Sequence, residues 1–157
     1  LSRRQRQMCI RDRPFTIYKF QTMKNSTPNC ATGELENPDQ YITKFGRILR
    51  KTSLDELPQL WNILKGDMSF VGPRPLISSE IRAHRLRLEY GVYRFRPGLT
   101  GWAQVNGRDD ISLMKKMKLD KEYCDNWSIG LDLKILWRSV EVCIKQEGFH
   151  EGKLHRR

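Results

Sequence analysis

"TSLDELPQL", residues 52–60, places two adjacent carboxylates, Asp55 and Glu56, just ahead of Pro58. From there, Leu57, Leu60, Trp61 and Leu64 recur at i, i+3, i+4 and i+7. That spacing predicts a helix that stops at Gly66 and packs those four side chains inward. Ser53 and Glu56 fit the S-x-x-E capping box. Pro58 argues against that register, because at the fifth helical position its missing N–H removes a helical hydrogen bond. Proline is comfortable in the first turn, so the cap moves to Asp55, Glu56 or Leu57. The carboxylates then stand at the helix mouth, beside free backbone N–H groups and the positive end of the dipole. Two readings stay open. One is capping alone. The other is a charged site, since a helix mouth also binds phosphate and a carboxylate kept ionised by arginines can act as nucleophile or metal ligand.

The surrounding chain is ordered. Upstream, "QYITKFGRILRKT" (40–52) reads as an amphipathic helix with Tyr41, Phe45, Ile48 and Leu49 on its apolar face and a basic stripe of Lys44, Arg47 and Lys51. "PFTIYKFQTM" (14–23) reads as a strand, and "KNSTPNCATGELENPDQ" (24–40) as a surface loop. Downstream, "MSFVGPRPL" (68–76) is a short strand followed by a rigid turn. "ISSEIRAHRLRLEYG" (77–91) is a helix capped by Ser78 or Ser79. "RFRPGLTGWAQVNGR" (94–108) is a glycine-punctuated loop or short hairpin. Two helices follow, at about 111–125 and 130–147. In the last, Leu133, Leu136, Val140 and Ile144 line one face, and Lys134, Arg138, Glu141 and Lys145 another. The fold class expected is α+β, mainly helical: one small domain with a short sheet or hairpin and amphipathic helices at a membrane surface.

Bulk properties bound the function. The chain has 157 residues, of which 38% are hydrophobic and 30% charged, and its formal net charge is +11. Such an excess points to a polyanionic partner: nucleic acid, an anionic membrane surface or a phosphorylated substrate. No apolar run approaches the roughly 20 residues that span a bilayer, and there is no signal-peptide pattern. Cys9, Cys30, Cys124 and Cys143 are scattered, which argues against a zinc site or a disulfide framework and for a reducing compartment.

Residues 1–13, "LSRRQRQMCIRDR", hold five arginines and one aspartate without apolar periodicity. They read either as a disordered basic arm or, preferably, as a foreign segment that resembles translated sequencing-adapter DNA. Without them the charge is still about +7. The expected organisation is therefore a set-apart segment at 1–13, a catalytic domain at 14–148 and a tail at 149–157.

"FTIYKFQTM", "KFGRILRKTSLDELPQLWNILKGDMSFVGPRPL", "RFRPGLTGWAQVNGR" and "YCDNWSIGLDLKIL" occur in that order. Together they resemble the bacterial sugar transferase family, the monotopic polyprenyl-phosphate phosphoglycosyl transferases, from Pro14 to about Gly148. The resemblance implies transfer of a sugar-1-phosphate from a UDP-sugar to undecaprenyl phosphate, at the cytoplasmic face of the bacterial inner membrane, with release of UMP. This step initiates exopolysaccharide, O-antigen or glycoconjugate synthesis. It implies Asp55 as the attacking carboxylate, Glu56 as its partner, Mg²⁺ held at the pair, and no nucleic-acid partner. By motif match, Lys19, Arg50 and Arg74 are the leading phosphate or nucleotide contacts. Arg47 stands one turn before Arg50, and Arg94 and Arg96 are second choices. For these cations the plainer reading is a solvated face or a lipid headgroup contact. Trp102, Gln104, Asn106 and Arg108 form either a structural hairpin or a wall of the sugar site. Tyr123 and Trp127 read as packing residues, and Asp132 as a helix cap or a support for the site. His84, His150 and His155 read as surface residues.

Two departures stand out. Family members carry a hydrophobic segment ahead of "FTIYKF" that dips into the inner leaflet. Here the arginine-rich string takes its place, so the chain reads as a fragment. Gln21 stands where the family usually has arginine. The competing readings are a basic nucleic-acid-binding domain and a catalytically silent membrane-surface module.

Overall fold

The computed structural model describes residues 6–10, 13–27, 38–77, 80–107 and 111–145. Strands β1 (Arg6–Ile10) and β2 (Arg13–Ile17) form an antiparallel hairpin, so β1 lies within the segment set apart above. Helix α1 (Lys44–Lys51) follows, then a 3₁₀ turn at Leu54–Glu56 and helix α2 (Gln59–Leu64). Strand β3 (Ser69–Val71) leads to helix α3 (Ile81–Glu89), strand β4 (Gly98–Thr100) and the short helix α4 (Trp102–Val105). Helices α5 (Leu113–Asp125) and α6 (Ile129–Lys145) complete the domain, an α+β arrangement dominated by helix. No helix among the described residues is long and apolar enough to cross a membrane.

β3 and β4 pair in parallel, Ser69 with Gly98 and Val71 with Thr100. Parallel strands need a crossover, here the segment containing α3. The stretch expected to be a loop or hairpin is thus a strand and a helical turn. Its glycines explain the choice. A Cβ on Gly98 would stand 2.2 Å from Gly72 N, and one on Gly101 would stand 2.1 Å from Gly72 O. Only glycine lets β4 and the following turn lie against the backbone of "VGPRP".

The main core joins β3, α4, α5 and α6 through Val71, Val105, Tyr123, Cys124 and Ile135. A second cluster, Leu76, Ala83 and Met117, packs α3 on α5. Between those two helices Arg87 and Asp120 are both buried and paired, with Nη2 2.6 Å and Nε 3.1 Å from Asp120 Oδ2. Tyr123 donates to Asp132 Oδ1 at 2.8 Å, and Trp127 Nε1 donates to Asp132 Oδ2 at 3.2 Å, so this aspartate ties α5 to α6. Ser128 caps α6 instead, accepting from Leu131 N. The Ser78 and Ser79 caps lie outside the described residues, as do most of the 24–40 loop, Arg108, His150 and His155. His84 is half-buried rather than solvated, with Nε2 3.0 Å from Ile77 O and Nδ1 against the Tyr93 hydroxyl.

One expectation fails clearly. Trp61 is 54% exposed and Leu64 78%, and Leu57 and Leu60 also face solvent. α2 buries Gln59 and Asn62 in their place. On α1, Phe45 and Ile48 are exposed and the buried residue is Gly46; on α6, Leu133, Val140 and Ile144 are exposed. A helical period tells which side chains share a face, not what covers that face.

Burial pushes the Asp120 carboxyl above the ordinary carboxylate range, against the pull of Arg87. Arg87→Met leaves that carboxyl buried without its counter-charge, at an expected cost of about 3–5 kcal/mol in urea denaturation. With the folded pKa raised above the unfolded one, this variant gains stability as pH falls. Adding Asp120→Leu is expected to recover most of the loss.

Candidate active site

The acidic pair lies in the 3₁₀ turn before α2, not at a helix cap. Ser53, at φ 55°, turns the chain into it, and its side chain makes no capping hydrogen bond. Pro58 holds the N-cap position of α2, so the capping roles expected for Asp55, Glu56 and Leu57 do not apply. The proline has a further effect. In the 3₁₀ register its N–H would have bonded the Asp55 carbonyl, and it has none. That carbonyl accepts from Phe20 N instead, at 2.9 Å. The end of the β2 segment is thereby stitched to the acidic turn.

This stitch delivers Lys19. Its ammonium lies 2.7 Å from Asp55 Oδ2 and 3.2 Å from Glu56 Oε1. Asp55 is 3% exposed. Its Oδ2 has the ion pair but no directed hydrogen bond among the described residues, so a buried oxygen keeps unfilled lone pairs. Arg74 Nη2 approaches Glu56 Oε1 at 3.9 Å and is itself exposed. The turn that carries it is fixed by Pro73, Pro75 and the close contact of Gly72 with Gly98 and Gly101.

Arg50 is half-buried on α1, and its Nε donates to Thr22 Oγ1 at 2.8 Å. α1 sits so close to this segment that a Cβ on Gly46 would be 2.1 Å from Thr22 O. Thr43 caps α1 through Gly46 N, and its own N–H donates to Thr22 O at 3.0 Å. The strand end 18–22 is thus held between α1 and the acidic turn. Arg47 is on the exposed side of α1.

Of the second-choice arginines, neither is shown against the acidic pair among the described contacts. Arg94 donates to Cys124 O at 2.8 Å and to Asp125 Oδ1 at 3.0 Å, at the end of α5. Arg96 is exposed and lies beside Gly66, past the far end of α2. Gln21 donates to Met23 O at 2.8 Å and to Asn25 Oδ1, so its amide serves the local turn. In the "GWAQVNG" stretch, Asn106 donates to Trp102 O and accepts from Arg138, while Gln104 donates to Leu99 O.

The sequence reading passed over Asn62 and Thr22. Both are buried polar residues that hold the strand carrying Lys19. A faint signal was present: asparagine is a modest helix former, and its place inside α2 asks for a reason.

Lys19 and Arg74 thus converge on a buried aspartate and a half-buried glutamate, on an α+β scaffold. The family model described as "Bacterial sugar transferase" matches residues 2–146. The chain belongs to that family. It is 46% identical over 142 residues to the uncharacterized sugar transferase EpsL of Bacillus subtilis, covering 90% of this chain and 69% of that protein. It is 44% identical over 149 residues to the undecaprenyl-phosphate galactose phosphotransferase of Salmonella typhimurium, covering 85% and 31%. It is 42% identical over 134 residues to the UDP-glucose:undecaprenyl-phosphate glucose-1-phosphate transferase of Caulobacter vibrioides, covering 81% and 50%. The chain thus spans half or less of the latter two relatives.

The geometry makes Lys19 the counter-ion of a buried charge. Lys19→Met is expected to lower stability by about 1–3 kcal/mol, because a desolvated carboxylate loses its partner. Adding Asp55→Asn removes that charge and restores part of the loss. Thermal unfolding of the two variants checks both.

Proposed function

We propose that the chain transfers sugar-1-phosphate from a UDP-sugar to undecaprenyl phosphate through a covalent intermediate on Asp55. The observation that carries this reading is the buried Asp55 carboxylate, ion-paired to Lys19, beside Glu56 and Arg74. The names of the Salmonella and Caulobacter relatives support the substrate class.

In the first step an Asp55 oxygen bonds the sugar-bearing phosphorus. The bond from that phosphorus to the bridging oxygen breaks, and UMP leaves with that oxygen and the electron pair. In the second step an oxygen of the lipid phosphate bonds the same phosphorus, the bond from that phosphorus to the Asp55 oxygen breaks, and the electron pair returns to the Asp55 carboxylate. Lys19 and Arg74 supply fixed positive charge where pyrophosphate charge gathers. Arg50 and Arg47 extend that positive field along α1. Arginine's planar fork suits phosphate oxygens.

Mg²⁺ fits the pair. This ion is commonly held by one or two carboxylates together with substrate phosphates and waters. Asp55 and Glu56 would supply the two carboxylates of such a set; Asp55 Oδ2, ion-paired to Lys19 but without a directed hydrogen bond, keeps acceptor capacity for the ion. Among the described residues no group of three or more potential ligands gathers into a closed cage. When bound, the ion neutralises donor pyrophosphate charge.

Asp55→Asn is expected to be folded and inactive, with no phosphosugar adduct. Intact-protein mass after incubation with UDP-sugar and Mg²⁺ reads the adduct, and UMP release with undecaprenyl phosphate reads turnover. Turnover close to the parent's would overturn the covalent mechanism.

We further propose that the exposed apolar faces of α1, α2 and α6 rest on the cytoplasmic leaflet of the bacterial inner membrane. Phe45, Trp61, Leu64, Leu133, Trp137 and Ile144 are all more than half exposed. Ser53 Oγ and Cys143 Sγ are 3.8 Å apart, which brings the end of α6 against the turn after α1. Lys44, Arg47 and Lys51 on α1, and Lys134 and Lys145 on α6, are exposed near those faces, each worth about 1 kcal/mol toward anionic lipid. Vesicle binding is expected to weaken with salt and with Lys/Arg→Gln changes. Anionic vesicles are also expected to protect the exposed Cys143 from alkylation, read peptide by peptide. Buried Cys124, its thiol pushed up to about 11, stays unreactive at neutral pH with or without vesicles.

A further inference from the structure

Asn62 is fully buried in a helix whose Leu60, Trp61 and Leu64 face outward, with only Ile63 of its apolar side chains packed inward. Its carboxamide is used on both sides. Oδ1 accepts from Tyr18 N at 3.1 Å. Nδ2 donates to Thr16 O at 2.8 Å and, more loosely, to Asp67 Oδ2 at 3.4 Å. The backbone on one side of Lys19 is therefore tied to Asn62. On the other side, Phe20 N is tied to the carbonyl of Asp55. Lys19 hangs between these two anchors, with its ammonium against both carboxylates. A buried amide that met no partner would be costly, and a leucine at this position would pack without that requirement. The polar residue instead bonds the end of β2 and the residue after it to α2.

We propose that Asn62 is a positioning residue for the acidic pair: its carboxamide fixes the backbone of Thr16–Tyr18 and so places the Lys19 ammonium between Asp55 and Glu56. The inference rests on the role proposed above for the pair, but its first test needs no substrate. Asn62→Asp keeps the shape and the acceptor, and sets an oxygen against Thr16 O where the amide donated. Asn62→Ser shortens the side chain so that it no longer spans both strand groups.

The experiment is competitive acetylation with acetic anhydride, read by peptide mass spectrometry on variants that melt cooperatively. In the parent, Lys19 is expected to react slowly relative to the exposed Lys118. In either variant, Lys19 labelling rises several-fold, while Lys145, paired with Glu141 on α6, does not change. UMP release is the second readout. Misplacement of this order is expected to reduce kcat by on the order of 10- to 100-fold. KM for the UDP-sugar stays within about threefold, since the loss falls on the reacting geometry. Lys19→Met combined with Asn62→Asp loses no more than Lys19→Met alone, because the two act through one contact. Unchanged Lys19 labelling in a folded variant overturns the proposal, as do multiplicative losses in the double variant. If neither variant folds, Asn62 is a structural residue only and the proposal falls. A parent chain that releases no UMP from any UDP-sugar defeats the reaction reading instead, and the labelling still decides the role of Asn62.

Discussion

The contact of the Lys19 ammonium with the Asp55 and Glu56 carboxylates is the interaction on which the candidate site depends. A carboxylate as buried as Asp55 is stable only with compensation close by. Adjacent carboxylates add mutual repulsion. One ammonium relieves both, but it must be delivered from a segment 36 residues away in sequence. The structure does so with backbone bonds on either side of Lys19, one to Asn62 and one to the Asp55 carbonyl that Pro58 leaves open. The proline therefore does more than start a helix. Its missing donor leaves the Asp55 carbonyl without a 3₁₀ partner, and Phe20 N fills that place.

The same logic of close backbone approach supports the rest of the site. Gly46 lets α1 lie on Thr22, which holds Arg50 beside the strand end. Gly98 and Gly101 let β4 and its turn lie on Gly72, which fixes the start of the segment that carries Arg74. For Arg50 the glycine, Gly46, is on its own helix; for Arg74 the glycines are on the neighbouring β4 and its turn. The cations of the site come from three separate segments, and each is aimed by backbone packing more than by side-chain contacts.

The interior is correspondingly modest. It consists of several small clusters, with a buried Arg87–Asp120 pair holding α3 to α5. Much of the large apolar side-chain surface is turned outward on α1, α2 and α6. Exposed lysines and arginines share α1 and α6, and the membrane proposal rests on that combination.

The sequence by itself determined the long helices and the family, and it singled out the acidic pair as the candidate site. Periodicity located α1, α5 and α6 closely, because apolar residues at helical spacing and the signals at helix ends are local properties. The "LDELP" and "GPRP" motifs carried the resemblance to the family and with it the proposed chemistry, because a motif records residue types that occur together at fixed spacing. Tertiary structure decided what those local signals do not encode. It turned Leu60, Trp61 and Leu64 outward and Asn62 inward, since a helical period is blind to the medium that covers each face. It made a parallel strand pair from a stretch that read as a hairpin, since strand pairing is non-local. It brought Lys19 and Arg74 to the acidic pair and gave Arg94 to Asp125 instead. Spacing along the chain does not measure distance across the fold, so which arginine meets which carboxylate is settled only when the elements pack.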